Sequence, residues 1–70
     1  MAEVRAEMVA NVWKVLVSEG DHVGDGDTLV ILESMKMEIP VLAEESGTVT
    51  KMHVAEGDVV QEDELIAEIG

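Results

Sequence analysis

Apolar residues along the chain form short runs that alternate with clusters of Gly, Asp and Glu. Residues 12–17 and 28–32 are rich in Val, Leu and Ile and contain no breaker, so each predicts a strand. The other predicted strands are residues 4–8, 39–43, 48–54, 59–60 and 64–69. Turns are predicted at 18–21, 24–27, 44–47 and 56–58, where Gly and Asp tolerate the backbone angles that turns need. Short strands at this spacing are typical of an all-β sandwich or barrel.

The two halves of the chain repeat each other at an offset of 37 residues. Seven residues of the first half fall on identical residues of the second: Val12, Lys14, Val17, Glu19, Gly20, Asp21 and Val23 on Val49, Lys51, Val54, Glu56, Gly57, Asp58 and Val60. The repeat departs from identity where Gly26 falls on Asp63, although aspartate can also adopt a positive backbone angle. A repeat of this kind predicts two similar four-stranded halves related by a pseudo-two-fold axis.

The composition is that of a small acidic domain. Seventy residues predict one domain, residues 1–70. Sixteen acidic residues against four basic ones give a net charge of −12, which argues against a nucleic-acid partner because that would need a basic patch. There is no cysteine for a disulfide or a thiolate zinc site. No apolar run approaches the length of a membrane span and no signal-type segment begins the chain, so we expect a soluble, cytoplasmic protein without a membrane partner.

The candidate functional stretch is residues 33–40, at the centre of the chain, which contains Lys36, one of three lysines. The spacing of Ile31, Met35 and Ile39 is compatible with one face of a short helix. Residues 29–32 are nevertheless strand-like, and Pro40 disfavours helical geometry at Ile39. We therefore predict a hairpin with its tip at Met35 and Lys36, where non-glycine residues would carry uncommon backbone angles.

The motif Glu-Ser-Met-Lys-Met-Glu at residues 33–38, with Gly20, Gly26 and Gly47 around it, resembles the biotinyl/lipoyl attachment domain family. The resemblance covers essentially the whole chain and is strongest to the small stand-alone biotinylated proteins of mycobacteria and bacilli. The biotin branch usually has Ala where this sequence has Ser34. The resemblance implies a flattened barrel-sandwich hybrid of two four-stranded antiparallel sheets, with the attachment lysine on an exposed hairpin turn.

The same resemblance implies the chemistry. Lys36 would be the acceptor of covalent biotin, Met35 and Met37 would flank it for recognition by a biotin protein ligase, and Glu33, Ser34 and Glu38 would complete the hairpin. The partners implied are the biotin carboxylase and carboxyltransferase of an acyl-CoA carboxylase-type system, which is associated with fatty acid metabolism. The chain would carry a carboxyl group between their sites as a carrier, not an enzyme, and would be a monomer in isolation.

Two other functions remain open from the residues alone. A lipoyl carrier is disfavoured because the lipoyl branch usually has Asp before the lysine and a small residue after it. An unmodified interaction module would have no need of the Met-Lys-Met triplet at residues 35–37. No metal site is predicted, because the acidic run at residues 62–64 lacks the spacing of a calcium loop. His22 and His53 are expected at the surface, and Trp13 is expected to serve in packing.

Overall fold

Eight β-strands form two four-stranded antiparallel sheets in the computed structural model of the chain, which describes residues 2–70. The strands are β1 (Ala2–Arg5), β2 (Ala10–Val15), β3 (His22–Val23), β4 (Thr28–Ser34), β5 (Met37–Leu42), β6 (Gly47–Met52), β7 (Val59–Val60) and β8 (Leu65–Ile69). We call the sheet ordered β1-β8-β6-β3 the terminal sheet and the sheet ordered β5-β4-β2-β7 the hairpin sheet. The predicted all-β class with two four-stranded antiparallel sheets is confirmed. Residues 2–70 contain no helix long and apolar enough to cross a membrane.

Two strand predictions need correction. The sequence pattern places the first strand at residues 4–8, but β1 ends at Arg5. Beyond it, the buried Ala6 donates its N–H to the carbonyl of Glu64 and accepts the N–H of Asp63, and residues 7–9 are bends. The pattern also predicts no strand at β3, since a two-residue strand with one buried apolar residue, Val23, gives almost no periodic signal. The offset of 37 residues nevertheless maps β7 onto β3 and thereby locates it.

The repeat is reproduced in strand order, register and turn hydrogen bonds. Shifting each strand by 37 residues converts the order β1-β8-β6-β3 into β5-β4-β2-β7. The pair Val12↔Leu32 becomes Val49↔Ile69, and a β-bulge follows each of these pairs. The mate of Gly26 does adopt the left-handed backbone: φ is 90° at Gly26 and 70° at Asp63. Two equivalent halves therefore interleave, and each sheet takes two strands from each half.

The core lies between the sheets and is aliphatic. Its fully buried side chains come from both sheets: Leu29, Leu32, Ile66, Ile69, Val12, Val30, Val49 and Val60. Burying one such side chain contributes about 1.5–3 kcal/mol. Trp13, expected to serve in packing, does not belong to this core and is 43% exposed. Ala10 and Val12 are buried, so the alternation along β2 turns Trp13 outward, and the bulge between Val12 and Lys14 then brings Lys14 to the same outer side.

Part of the acidic excess serves the turns. Each of four turns is closed by a carboxylate that accepts a hydrogen bond from the backbone N–H three residues earlier. The bonds are Ser18 N–H to Asp21, Gly24 N–H to Asp27, Ala55 N–H to Asp58 and Gln61 N–H to Glu64, at 2.8–3.0 Å. They form two pairs related by the repeat, so acidic residues at these positions specify local structure as well as charge.

Candidate functional site

The hairpin between β4 and β5 places Lys36 at its tip. The two strands pair from Thr28↔Leu42 to Ser34↔Met37, which leaves Met35 and Lys36 as a two-residue turn. Their φ angles are 52° and 66°. Positive φ at both central residues is the mark of a type I′ turn, whose twist matches that of the flanking strands. The stretch is therefore a hairpin, as predicted, and the helical alternative is excluded.

The turn holds two non-glycine residues in a backbone region that favours glycine. Asn-Gly is the usual solution for this turn, and each strained residue costs about 1–3 kcal/mol. The strands below the turn supply the constraint that keeps it in place. Leu32 is fully buried, and Ile39, its partner in the ladder, packs against the core. Backbone strain that persists at an exposed tip indicates a function for the residues that carry it.

The tip presents apolar side chains around one amine. Met35 is 92% exposed and Met37 is 62% exposed. Glu33 and Glu38 are exposed and lie directly opposite each other on neighbouring strands, an arrangement of like charges that does not favour folding. Ser34 is half-buried opposite Met37. Among residues 2–70, no carboxylate forms a salt bridge with Lys36.

Lys36 differs in position from the other two lysines. Lys14 and Lys51 lie within β2 and β6 at positions equivalent by the repeat, and each follows a bulge. The Nζ atom of Lys14 lies 5.4 Å from the centroid of the Trp13 ring, a cation–π contact. Lys36 is thus the lysine that the fold presents on a turn, at one end of the hairpin sheet.

The histidines and acidic runs do not gather into a second site. Over residues 2–70, no group of three or more His, Cys, Asp or Glu side chains is placed to hold a metal ion. His53 pairs with Glu68 at 2.7 Å on the surface of the terminal sheet. The chemistry that the arrangement offers is therefore an exposed Lys36 amine held in a defined turn.

Comparisons with known proteins agree along the whole chain. The family model described as "Biotin-requiring enzyme" matches residues 2–69. The chain is 64% identical over 70 residues to the "Biotinylated protein TB7.3 homolog" of Mycobacterium leprae, covering 99% of both chains. It is 44% identical over 66 residues to the "Biotin-dependent acyl-coenzyme A carboxylase alpha3 subunit" of the same organism, covering 94% of this chain and 11% of that one.

A solved structure gives the same result for the fold. The crystal structure of the Kluyveromyces lactis urea carboxylase matches with a TM-score of 0.92 and 38% identity, covering 99% of this chain and 6% of that chain. The family match extends over nearly the full sequence, and it includes the hairpin and both sheets. The chain therefore belongs to the biotin/lipoyl attachment family.

Proposed function

We propose that this chain is a biotin carrier in which a biotin protein ligase acylates the Nζ atom of Lys36. The observation that carries the proposal is the position of Lys36 in an exposed, strained two-residue turn, while Lys14 and Lys51 lie within strands. The 64% identity to a protein named as biotinylated supports biotin as the group attached.

The attachment needs a free amine in a fixed place. A ligase that activates biotin as an acyl-adenylate offers a carbonyl carbon, which the deprotonated Lys36 amine attacks. An amide bond forms as the bond between the carbonyl carbon and the phosphate oxygen breaks, AMP leaves, and the nitrogen gives one of its two protons to solvent. The ordered turn lowers the entropic cost of presenting the amine to that carbonyl. Met35 and Met37 offer the ligase an apolar contact on each side, and the backbone pairing of Glu33 with Glu38 and of Ser34 with Met37 holds the turn on its strands.

The carrier then acts by movement of its tether. Lysine and the biotin side chain together make about eleven bonds, which reach roughly 14 Å at about 1.5 Å per bond with zigzag geometry. A tether of this length keeps the biotin ring at high effective concentration near a docked active site. A biotin carboxylase would place a carboxyl group on the ureido nitrogen, and a carboxyltransferase would pass it to an acceptor. An acyl-CoA is the acceptor that we propose, because the chain resembles part of an acyl-coenzyme A carboxylase subunit.

The chain contributes no acid, base or metal to these reactions, so the partner subunits perform the catalysis. We further propose that the system acts in the cytoplasm, which the lack of cysteine fits, and that the carrier is monomeric in isolation.

The test is Lys36→Arg, which keeps the positive charge and removes the reactive amine. After co-expression with a biotin ligase, we expect the intact mass of the wild type to rise by one biotinyl group and that of the variant to stay unmodified. Lys14→Arg and Lys51→Arg are matched controls that should label fully. A biotinyl group mapped to Lys14 or Lys51 would refute the assignment. A lipoyl group found on Lys36 in native material would instead place the chain in the lipoyl branch.

A further inference from the structure

The two sheets present outer faces of opposite character at equivalent positions. We define the outer hairpin face by its outward apolar side chains, and the polar Asn11 and Lys14 of β2 lie on the same side. The apolar members are Trp13, Leu16, Ile31, Pro40, Leu42 and Val59. The offset of 37 residues maps them onto Thr50, His53, Glu68, Glu3, Arg5 and His22 of the terminal sheet. The first set is entirely apolar and the second is entirely polar or charged. Because equivalent positions have equivalent backbone structure, the difference in polarity between the two faces comes from the side chains alone.

The apolar set forms one surface. Trp13, Leu16, Leu42 and Val59 are 43%, 52%, 44% and 56% exposed. Ile31 pairs with Pro40 on one side and with Lys14 on the other, and the Lys14 Nζ atom lies over the Trp13 ring. Leu16 and Leu42 lie on either side of residues 28–29 of β4. Three strand spacings of about 4.8 Å separate β7 from β5, which makes the face roughly 14 Å wide. Contiguous apolar surface of this kind marks interaction sites in soluble proteins.

The terminal sheet shows what these positions require when nothing covers them. Arg5 pairs with Glu3 at 2.9 Å, and His53 pairs with Glu68 at 2.7 Å. The Thr50 hydroxyl donates to the carbonyl of Glu68 at 3.2 Å. Polar residues therefore satisfy the fold at this face, and the fold does not explain why the equivalent positions of the hairpin sheet are apolar.

We propose that the outer hairpin face is the docking surface for the biotin carboxylase subunit that loads the tethered biotin, an inference that rests on the proposed function. The face belongs to the sheet whose turn carries Lys36, so a protein seated on it lies beside the tether. In the loading step, the uncharged biotin on this chain is chemically the same as biotin on any other carrier, so the biotin carboxylase must select its carrier by the protein scaffold. In the transfer step, the carboxyl group on biotin already marks a carrier that the carboxylase has selected, so the carboxyltransferase does not have to select it again.

Charge defines the chemistry of the partner surface. Glu33 and Glu38 border the face toward the turn, and Glu56 borders it near Leu16, where its carboxylate accepts the N–H of Val15 at 3.1 Å. The partner surface is therefore apolar at its centre and rimmed by Lys and Arg. A second copy of this chain does not fit, because each copy has a net charge of −12 and would bring the same acidic rim.

The test replaces residues of this face by their mates from the polar face, which the same backbone already accommodates. The double variant Trp13→Thr, Leu16→His and the single variant Leu42→Arg are first biotinylated to completion by intact mass, and their thermal melting confirms folding. The probe is the biotin carboxylase subunit encoded in the same genome, assayed with biotinylated carrier as substrate. For the face variants we expect kcat/KM to fall at least tenfold, through KM and with kcat little changed. For the wild type, added salt should also lower kcat/KM, because salt screens the acidic rim.

The matched control is Thr50→Ala, His53→Ala on the polar face, which should change kcat/KM less than twofold. Folded, fully biotinylated face variants with wild-type kcat/KM would overturn the docking inference while leaving the carrier function intact. Loss confined to the carboxyltransferase half-reaction would also overturn it, because the face would then serve the other partner. A wild-type biotinylated carrier that the carboxylase does not load would refute the proposed function itself.

Discussion

At the scale of single residues, Gly47 shows where the two halves are not interchangeable. A Cβ at Gly47 would lie 2.7 Å from Cγ2 of Ile69 and 2.9 Å from the carbonyl oxygen of Gly70. Its mate by the repeat is Ala10, which is buried with its methyl group in place. The mate of Ile69 by the repeat is Leu32, whose Cβ carries a single γ carbon, whereas the β-branched Ile69 carries a second γ carbon, which lies beside Gly47.

We expect Gly47→Ala to lower the free energy of unfolding by about 1–3 kcal/mol, the usual cost of overpacking a core. Urea unfolding followed by circular dichroism measures it. Gly24→Ala is the control, because a Cβ there meets nothing nearer than 3.7 Å, and it should change stability by about 0.5 kcal/mol or less. Equal stability of the two variants would show that the chain end moves aside to admit the methyl group.

The methionines flanking Lys36 should decide which ligase accepts the turn. Met35→Asp places a charge where we propose an apolar ligase surface, and Met37→Ala removes the contact on the other side. We expect the double variant to be biotinylated at least tenfold more slowly, and some lipoylation to become detectable. Co-expression with each ligase and intact mass give the readout. Met8→Ala, a 40% exposed methionine outside the hairpin, is the control; undiminished labelling of the double variant would mean that position alone is recognised.

At the scale of the element, the length of the turn is testable independently of its side chains. Deleting Met35 removes the two-residue turn, but the strands can still close at Glu33↔Glu38 with a three-residue loop, a common hairpin connection. The pair of the buried Leu32 and the half-buried Ile39 then stays in register, so we expect a folded protein that retains an exposed Lys36 in the wrong geometry. Biotinylation should fall at least tenfold, measured by mass at fixed ligase. Wild-type labelling of this variant would show that the ligase needs only a flexible lysine.

The elements also show how far the sequence alone leads. Strands with several consecutive apolar residues, such as β4 and β8, are predicted within two residues, and the repeat predicts the pseudo-two-fold relation. The hairpin around Lys36 is predicted from the strand-like residues 29–32 and from Pro40, which disfavours a helix at Ile39. The short strand β3 has too few residues for a periodic signal. The exposure of Trp13 is not evident from the sequence because residues 12–17 are apolar except for Lys14, so the run does not show which alternate side chains face the core.

At the scale of the whole molecule, the outer faces raise a point that no single strand reveals. Each strand of the hairpin sheet reads as ordinary amphipathic or buried sequence. The contrast between the two sheets emerges only when equivalent positions are compared through the repeat. Internal symmetry thus separates what the fold requires, which both halves share, from what one half adds. The outer hairpin face is an addition of this kind, and it belongs to the sheet whose turn carries Lys36.

The charge of the whole molecule gives the last prediction. A net charge of −12 is confined to a body of 31 × 17 × 17 Å. The Debye length is about 30 Å at 0.01 M salt and about 8 Å at 0.15 M, so carboxylates repel across the entire molecule only at low salt. Folding concentrates these charges, and repulsion therefore destabilises the compact state. We expect Tm to rise between 0.01 and 0.15 M sodium chloride.

The control for this prediction removes charge instead of screening it. Replacing the exposed Glu44 and Glu62 by Gln changes the net charge from −12 to −10, and it should raise Tm at low salt while reducing the response to added salt. A chelator should leave Tm unchanged, since residues 2–70 hold no group of side chains arranged as a metal site. A large fall in Tm on adding chelator would mean that a divalent cation, and not screening by salt, offsets the acidic charge.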